Sequence, residues 1–286
     1  MNQKVILITG ASSGIGLEAA RQLIEKGHIV YAVARRIEMM LPLLQLGGYT
    51  HSMDVTNETS MKEGVAKVID EQGRIDVLVN NAGYGSLGAV EEVSLDEARN
   101  QFEVNLFGVA RLCQLVLPHM RALGKGRIVN ISSIGARVYE PLCGWYHSTK
   151  FALEGLSDCM RLELKPFGID VVLVQPGFIR TEWEKVAHEN LKQFSGNGPY
   201  RETANKLANA HINFLFRYFA SDAPVVAKTI VKTVGVNSPK TRYATGRASG
   251  LFLFLRKSLP DKWLDQVFLI MLNMYGRDKE RRLVSY

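Results

Sequence analysis

The stretch KVILITGASSGIG, residues 4–16, constrains the fold of this chain more than any other feature. Its first six residues are almost all apolar or β-branched, which is typical of a strand buried on both faces. Three glycines follow with the spacing G-x-x-x-G-x-G. Glycine is costly to order, so this density of glycines indicates a turn that another group approaches closely.

The segments after the turn indicate what approaches it. Residues 17–26 carry apolar side chains at helical spacing, Gly27 ends that helix, and residues 28–34 (HIVYAVA) form a second strand. Strand, glycine turn, helix and strand make the βαβ unit of a dinucleotide-binding fold, in which N–H groups at the helix N-terminus hold a pyrophosphate. A glycine-rich turn that binds nothing is the alternative.

The alternation of strands and helices continues along the chain. Helices are expected over residues 58–71, 95–123 and 144–167, and strands over 49–53, 75–80, 127–132, 169–175 and 242–245. This order predicts an α/β fold: a doubly wound parallel sheet (Rossmann fold) of about seven strands with helices on both faces. We expect one NAD(P)-binding domain over residues 1–286, with ligands beyond the strand ends at Thr9, Ala34, Asn80, Ser132 and Gln175.

Two segments depart from the alternation. Residues 184–223 are expected to form a substrate lid, and residues 247–286 an apolar and basic C-terminal extension. Within the extension, the sequence predicts a helix from about residue 258 that has one apolar face. This face is widened by Leu269, Ile270 and Leu272, and it is followed by the basic residues Arg277, Lys279, Arg281 and Arg282. We expect the face to pack on the lid or a second subunit; lying on a membrane surface is the alternative. The residues of that face are Trp263, Leu264, Val267, Phe268, Met271, Met274 and Tyr275.

Composition limits the classes of function. Residues 240–286 contain ten Lys/Arg and four Asp/Glu, so they supply +6 of the net charge of +7. These basic residues flank an apolar stretch, whereas a nucleic-acid surface usually spreads them along a groove. No nucleic-acid partner is therefore expected. Cys113, Cys143 and Cys159 have neither disulfide nor metal-ligand spacing. With no signal-peptide pattern and no long apolar run, the sequence predicts a cytoplasmic protein without a bound metal.

A second motif offers acid–base chemistry. Tyr146 and Lys150 lie four residues apart, on one face of a predicted helix. A nearby cation favours the phenolate and so lowers a phenol pKa from its usual value of about 10. Ser133, just past a strand end, offers a hydroxyl to a substrate oxygen, and Ser132 is the rival. A Tyr/Lys pair that merely packs on the surface is the alternative.

Together these motifs resemble the short-chain dehydrogenases/reductases over about residues 3–182. The match comprises Thr9-Gly-x-x-x-Gly-Ile-Gly16, Asn80-Asn-Ala-Gly83, Asn105, Ser133, Tyr146-x-x-x-Lys150 and Pro176-Gly177. The resemblance implies that Tyr146 exchanges a proton with the substrate oxygen, which Ser133 holds. Lys150 would lower the Tyr146 pKa and bond the nicotinamide ribose. Asn105 would hold a water that links Lys150 to solvent, unless it only caps or bends its helix.

The resemblance also implies a nicotinamide dinucleotide as cofactor. Asp54 would accept from the adenine amino group beside the Val55 backbone, unless it forms an ordinary Asx turn. Ile179 and Thr181 would meet the carboxamide, and Asn81, Ala82 and Gly83 the adenosine ribose. The remaining expected contacts are Gly10, Ser12, Ser13, Gly14, Ile15, Gly16, Tyr146, Lys150, Pro176 and Gly177.

The end of the second strand predicts which dinucleotide binds. NAD-preferring sites usually place an acidic residue there, whereas this chain has Arg35 and Arg36. A guanidinium can bind a 2′-phosphate through two hydrogen bonds, so NADP(H) is favoured over NAD(H), unless both arginines are merely solvated.

We therefore expect an NADP(H)-dependent oxidoreductase that interconverts a carbonyl and an alcohol on a large, apolar substrate. The lid sequence INFLFRYF and the side chains of Leu142, Trp145 and Phe178 are the candidate substrate walls. A homodimer or homotetramer is expected from the family resemblance. The alternatives are a dinucleotide-binding regulator without turnover and a membrane-surface interaction protein on the same scaffold.

Overall fold

A computed structural model describes residues 2–275 of the chain. Its main sheet has seven strands, and two further strands of two residues each pair beside it. The strands are β1 (Val5–Thr9), β2 (Ile29–Ala34), β3 (Tyr49–Ser52), β4 (Val77–Asn80), β5 (Gly126–Ile131), β6 (Ile169–Pro176), β7 (Ile179–Arg180), β8 (Ser221–Asp222) and β9 (Arg242–Thr245).

The main sheet has the order β3-β2-β1-β4-β5-β6-β9, and every neighbouring pair is parallel. β1 lies between β2 and β4, so the chain leaves β1 toward one edge of the sheet and later returns to its other side. The crevice beyond the strand ends at this switch point is where ligands bind in such sheets. The predicted fold class, with seven parallel strands, is confirmed.

Helices cover both faces of the sheet. They are α1 (Gly14–Glu25), α2 (Leu41–Gln45), α3 (Glu58–Gln72), α4 (Leu95–Phe102), α5 (Gly108–Ala122), α6 (Gly144–Leu164), α7 (Glu182–Ser195), α8 (Arg201–Ala210), α9 (Ala223–Gly235), α10 (Ser249–Ser258) and α11 (Asp261–Tyr275). Two segments are π-helical, Glu103–Phe107 and His211–Phe219, and short 3-10 turns cover Ile37–Met40, Ile134–Ala136 and Lys165–Phe167.

The core has two layers because successive strand residues point to opposite faces. Ile6 and Ile8 of β1 pack with apolar residues of α1, α2 and α9, whereas Val5 and Leu7 pack with those of α3, α5 and α6. All four side chains are at most 1% exposed. Burial on both faces explains why β1 has an almost unbroken apolar sequence.

The structure corrects one predicted helix and adds helices that were not predicted. The helix expected over 95–123 is interrupted by the π-helical turn Glu103–Phe107, which places the buried Asn105 inside it. Helix α9 was not predicted, although its apolar residues pack on α1. The lid segment is mostly regular, because α7, α8 and the π-helical segment His211–Phe219 make up most of it.

Candidate active site

A cavity of about 820 Å³ lies at the carboxyl ends of the strands. Its lining includes residues that follow β1, β2, β4, β5 and β6, as expected for an open parallel sheet. Of the predicted site residues, all but Gly16 and Asn105 line it. These are Gly10, Ser12, Ser13, Gly14, Ile15, Arg35, Arg36, Asp54, Val55, Asn81, Ala82, Gly83, Ser133, Tyr146, Lys150, Pro176, Gly177, Ile179 and Thr181.

The glycines of the first turn are required by close packing. Gly10 has φ +65°, and a Cβ there would lie 2.8 Å from Ala82 Cα. A Cβ on Gly16 would lie 2.3 Å from the Gly10 carbonyl oxygen and 2.4 Å from Asn81 Nδ2. Asn81 Nδ2 donates to the carbonyls of Thr9 and Gly10 at 3.0 and 3.1 Å, which fixes the turn against the end of β4. Gly16 therefore shapes the site without lining it.

The N-terminus of α1 suits an anionic group. Ser13 is the N-cap residue but makes no capping hydrogen bond through its side chain, and the first turn of α1 has no acidic residue. The first N–H groups of a helix have no partner within the helix, and its dipole favours negative charge there. Because Ser13 and Gly14 line the cavity, these donors are placed where the pyrophosphate of a dinucleotide would fit.

Two cations follow β2 at one end of the cavity. Arg35 and Arg36 are both exposed and both line it. Arg36 Nη2 lies 3.3 Å from both Ser12 Oγ and Ser13 Oγ, and 3.2 Å from a carboxylate oxygen of Glu182. The guanidinium of Arg36 thus reaches the glycine turn itself.

Asp54 forms the Asx turn that was the alternative to adenine binding. Its Oδ1 accepts from the Thr56 backbone N–H at 2.9 Å and from the Thr56 hydroxyl at 2.8 Å. Asp54 and Val55 nevertheless line the cavity. The turn therefore holds Asp54 at the cavity wall, and contact with an adenine stays a prediction.

The two serines after β5 have different surroundings. Ser132 is 4% exposed, and its hydroxyl donates to Glu154 Oε1 at 3.1 Å. Glu154 is itself buried and also accepts from Gln175 Nε2 at 2.6 Å. Ser133 caps the turn Ile134–Ala136, since its hydroxyl accepts from the Gly135 N–H at 3.0 Å, and it lies close enough to Tyr146 to affect the pKa of the phenol. Both serines line the cavity, but the hydroxyl of Ser132 is held by Glu154, whereas Ser133 lies beside the phenol.

The environment of Tyr146 favours the protonated phenol. Burial raises the pKa of Tyr146 to about 12, and the nearby Ser133 hydroxyl opposes that rise. Burial also lowers the pKa of Lys150 to about 8. Lys150 Nζ donates to the Ile131 carbonyl at 3.0 Å, so the expected effect of Lys150 on the Tyr146 pKa stays a prediction.

The side chain of Asn105 braces the site through hydrogen bonds to Tyr84 and to Thr149 of α6. Its Oδ1 accepts from the Tyr84 backbone N–H at 3.1 Å, and its Nδ2 donates to the Tyr84 carbonyl at 2.9 Å and to Thr149 Oγ1 at 3.1 Å. A Cβ on Gly83 would lie 3.0 Å from Asn105 Oδ1 and 3.6 Å from Lys150 Nζ, so these groups are neighbours. The structure accounts for the bracing, and the water held by Asn105 stays a prediction.

Beyond Tyr146 the cavity is mostly apolar. The Trp183 ring centroid lies 5.1 Å from that of Tyr146. Phe178 lines the cavity as expected. Leu142, which packs with Leu191 and Leu207, and Trp145 are both outside the lining, so those two predicted substrate walls were wrong. The further apolar lining residues are Leu87, Val138, Val186, Phe216, Phe252 and Phe268.

Several lining residues were missed by the sequence analysis. Phe252 and Phe268 come from α10 and α11, far along the chain, and no local pattern distinguishes them from core residues. Glu140, Cys143 and His147 also line the cavity, and their potential ligand atoms lie within 4.8 Å of one another. His147 is on the same helix as Tyr146, one residue on, which is the only sequence signal that could have identified it.

Comparison with known proteins agrees with this geometry. The family model described as short chain dehydrogenase matches residues 4–192. A relative from Helicobacter pylori, named "Probable short-chain type dehydrogenase/reductase", is 36% identical over 95% of this chain and 99% of its own length. A Bacteroides thetaiotaomicron relative named 3-ketodihydrosphingosine reductase is 43% identical over 68% of this chain and 71% of its own length.

A solved structure extends the agreement to the whole fold. The crystal structure of a short-chain dehydrogenase from Streptomyces avermitilis superposes with a TM-score of 0.77 at 33% identity, covering 95% of this chain and 96% of that one. The matched residues 4–192 contain Ser133, Tyr146 and Lys150. The protein is therefore an oxidoreductase that belongs to the short-chain dehydrogenase/reductase family.

Proposed function

We propose that this protein is an NADP(H)-dependent oxidoreductase that interconverts a carbonyl and an alcohol on a large, apolar substrate. One observation carries the proposal: Arg35, Arg36, Ser133, Tyr146 and Lys150 line the same cavity, whose far side is aromatic. The cations and the uncapped N-terminus of α1 would bind the phosphates, and the aromatic part would receive the substrate.

Each catalytic residue has a task in this proposal. During reduction, Tyr146 donates its phenolic proton to the substrate oxygen, and during oxidation it takes the proton back. Ser133, whose hydroxyl lies beside Tyr146, orients that oxygen beside the phenol. The nicotinamide, when bound, supplies or accepts the hydride. Lys150 binds the nicotinamide ribose and, when charged, favours the phenolate.

The preference for NADP(H) is supported by charge. A 2′-phosphate at the end of β2 would meet two guanidinium groups, and Arg36 already lies 3.3 Å from two hydroxyls of the glycine turn. Hydrogen bonds between arginine and phosphate are among the strongest in proteins. To bind the phosphate, Arg36 would exchange its exposed contact with Glu182 for a phosphate contact.

We propose that the lid (residues 184–223) and the α10–α11 extension enclose the substrate. Phe216 of the lid and Phe252 and Phe268 of the extension support this, because all three line the cavity. A cytoplasmic location is part of the proposal and is supported by three free cysteines, of which Cys113 and Cys143 are buried. A homodimer or homotetramer is proposed from the family alone.

A dinucleotide-binding regulator without turnover is the second candidate, because the same cavity would bind cofactor in either case. Turnover separates the two. NADPH and NADH oxidation should be followed with a panel of apolar ketones, and Tyr146→Phe is the matched control because it removes one oxygen atom. We expect NADPH-dependent turnover that falls by ~10²–10⁴ in the variant, while NADPH still binds. NADPH binding without turnover of any ketone would favour the regulator.

A further inference from the structure

A carboxylate lies in the otherwise apolar part of the cavity. Glu140 follows the turn Ile134–Ala136 and lines the cavity with Val138, Phe178 and Phe268. Its side chain is only 13% exposed. A carboxylate withdrawn from water is costly unless it is paired, so its place among aromatic side chains requires an explanation.

The partner of Glu140 comes from the lid. His211 Nε2 lies 3.5 Å from Glu140 Oε2, which is too long for a well-formed hydrogen bond, and this nitrogen is buried without another partner among the described residues. His211 Nδ1 in turn lies 3.2 Å from His188 Nε2 of α7. Burial lowers the pKa of His188 to about 4, so that ring is neutral near pH 7. The Glu140 carboxylate, which lines the cavity, therefore lacks a well-formed hydrogen bond from His211 and can accept one from a ligand.

A metal ion is a poor explanation for this cluster. Although Glu140, Cys143 and His147 could converge on an ion, both ring nitrogens of His147 are already bonded. His147 Nδ1 lies 2.8 Å from the Gly135 carbonyl, and Nε2 accepts from the Glu140 backbone N–H at 3.1 Å. This arrangement fixes the loop that carries Glu140 and leaves no lone pair on His147 for a metal.

Glu140 is also close to the reacting position. Its charge contributes to raising the pKa of Tyr146, so the two groups interact electrostatically. Cys143, one of its close neighbours, is the N-cap residue of α6, three residues before Tyr146. A substrate whose carbonyl lies at Ser133 and Tyr146 would therefore bring the adjoining carbon atoms toward Glu140.

We propose that Glu140, held beside His211 of the lid, forms a polar subsite that binds a hydrogen-bond donor on the substrate, a hydroxyl or a protonated amine a few bonds from the carbonyl. The rest of the substrate is apolar and lies against the aromatic lining. This inference rests on the proposed carbonyl reduction and adds specificity to it. A site that must hydrogen-bond its substrate discriminates strongly against analogues that lack the donor, because its buried polar groups would then stay unpaired.

Matched ketones test the subsite. 2-Dodecanone is compared with analogues that carry a hydroxyl or a dimethylammonium group on the first, second or third carbon from the carbonyl. We expect kcat/KM of wild type to be roughly 10- to 100-fold higher for at least one donor-bearing ketone than for 2-dodecanone. Preference for the ammonium compounds would identify recognition of a cation, and preference for the hydroxyl compounds recognition of a neutral donor.

The variants separate this role from a structural one. Glu140→Gln keeps the shape but removes the charge, and it should lower the ratio of kcat/KM for the preferred donor-bearing ketone to that for 2-dodecanone at least about tenfold. Glu189→Gln is the matched control, since its carboxylate is 63% exposed on α7 and paired only with Lys185 at 3.9 Å among the described residues. Equal losses for all ketones in Glu140→Gln would show that Glu140 only fastens the lid, and the proposal would be wrong.

The remaining outcomes are also decisive. If wild type reduces 2-dodecanone and every substituted ketone equally well, the subsite proposal is overturned while the proposed function stands. If wild type with NADPH reduces no ketone of the series, the proposed function fails first. Calorimetric titration of enzyme and NADP+ with dodecylamine and 1-dodecanol then gives a second readout, since Glu140→Gln should weaken binding of at least one of them.

Discussion

At the scale of single residues, Tyr146 and Lys150 occupy a site that disfavours their charges. Burial raises the pKa of the phenol and lowers that of the ammonium, so both groups tend toward their neutral forms. A phenol that keeps its proton at neutral pH is suited to the reductive direction, in which it acts as the acid. The oxidative direction needs the phenolate, so it should be favoured by alkaline pH.

The buried ammonium of Lys150 should have a measurable effect on stability. Between about pH 8 and pH 10.5 the unfolded chain binds more protons at this position than the folded chain, so the free energy of unfolding should increase with pH across that window. Lys150→Met removes this contribution. Urea unfolding of both proteins without cofactor should therefore show the wild type gaining stability relative to Lys150→Met from pH 8 to 10.5. A constant difference would mean that the ammonium is well solvated.

The arginines after β2 lead to a prediction about the cofactor. In Arg35→Asp and in Arg36→Asp, a carboxylate replaces a cation and would repel a 2′-phosphate while accepting from a ribose 2′-hydroxyl. We expect the ratio of kcat/KM for NADPH to that for NADH to fall more than tenfold in at least one variant. Arg99→Asp, on the exposed surface of α4, is the control. An unchanged ratio in both variants would show that the arginines are only solvated.

At the scale of elements, a substitution in the glycine turn tests how closely the backbone of that turn is packed. Gly16→Ala places a methyl group 2.3 Å from the Gly10 carbonyl oxygen, so the turn or the start of α1 must shift. We expect a marked loss of both thermal stability and NADPH affinity. Gly155→Ala is the matched control: it lies on an exposed face of α6 with no atom within 4 Å of the added Cβ, and it should be neutral or stabilise by about 0.5–1 kcal/mol.

Scanning calorimetry and cofactor titration of the two glycine variants check this prediction. If Gly16→Ala kept wild-type stability and affinity, the turn would be more adaptable than its contacts indicate. The same turn shows why local sequence predicted so much of the site. Residues 4–34 form three consecutive elements, and β1 pairs directly with β2, so glycine spacing and apolar periodicity were sufficient there.

Other elements depend on contacts that a local pattern cannot encode. The π-helical turn at Asn105 is accompanied by side-chain hydrogen bonds to Tyr84 and Thr149, which are distant in the sequence. Glu140 was missed because a lone acidic residue in a loop looks solvated until His211 of the lid is placed beside it. The walls formed by Phe252 and Phe268 likewise depend on how the extension folds back.

At the scale of the whole molecule, the C-terminal extension completes the cavity. Leu264, Phe268 and Leu272 of α11 are 1%, 5% and 6% exposed, which matches one helical stripe. Tyr275 stacks on Phe214 of the lid at 3.7 Å between ring centroids, and Asp265 accepts from the Tyr139 hydroxyl at 2.9 Å. The extension is thus packed on both the lid and the loop that follows β5.

The packed stripe is narrower than the apolar face predicted from the sequence. Leu272, expected only at its edge, is buried, whereas Trp263, Val267 and Met274, expected within it, are 69%, 41% and 52% exposed. The basic residues expected after it, at 277, 279, 281 and 282, lie outside the described residues. Among residues 2–275 no helix has both the length and the apolar character needed to span a bilayer. These exposed apolar side chains are accessible to a second subunit or to a membrane surface, and the two contacts have different experimental consequences.

The last prediction tests the membrane alternative. Truncation after Gly250 removes Phe252 and Phe268 from the cavity wall and uncovers Val138, so it should reduce solubility and ketone reduction together. Phe268→Ser should do the same to a lesser degree, while Trp263→Ser, at a 69% exposed position, should leave turnover unchanged. Full-length protein should stay in the supernatant when centrifuged with anionic vesicles at physiological salt. If instead the full-length chain pelleted with the vesicles and Trp263→Ser did not, this exposed face would bind lipid. That substitution leaves the packed stripe of α11 intact, so loss of the fold would not explain the difference.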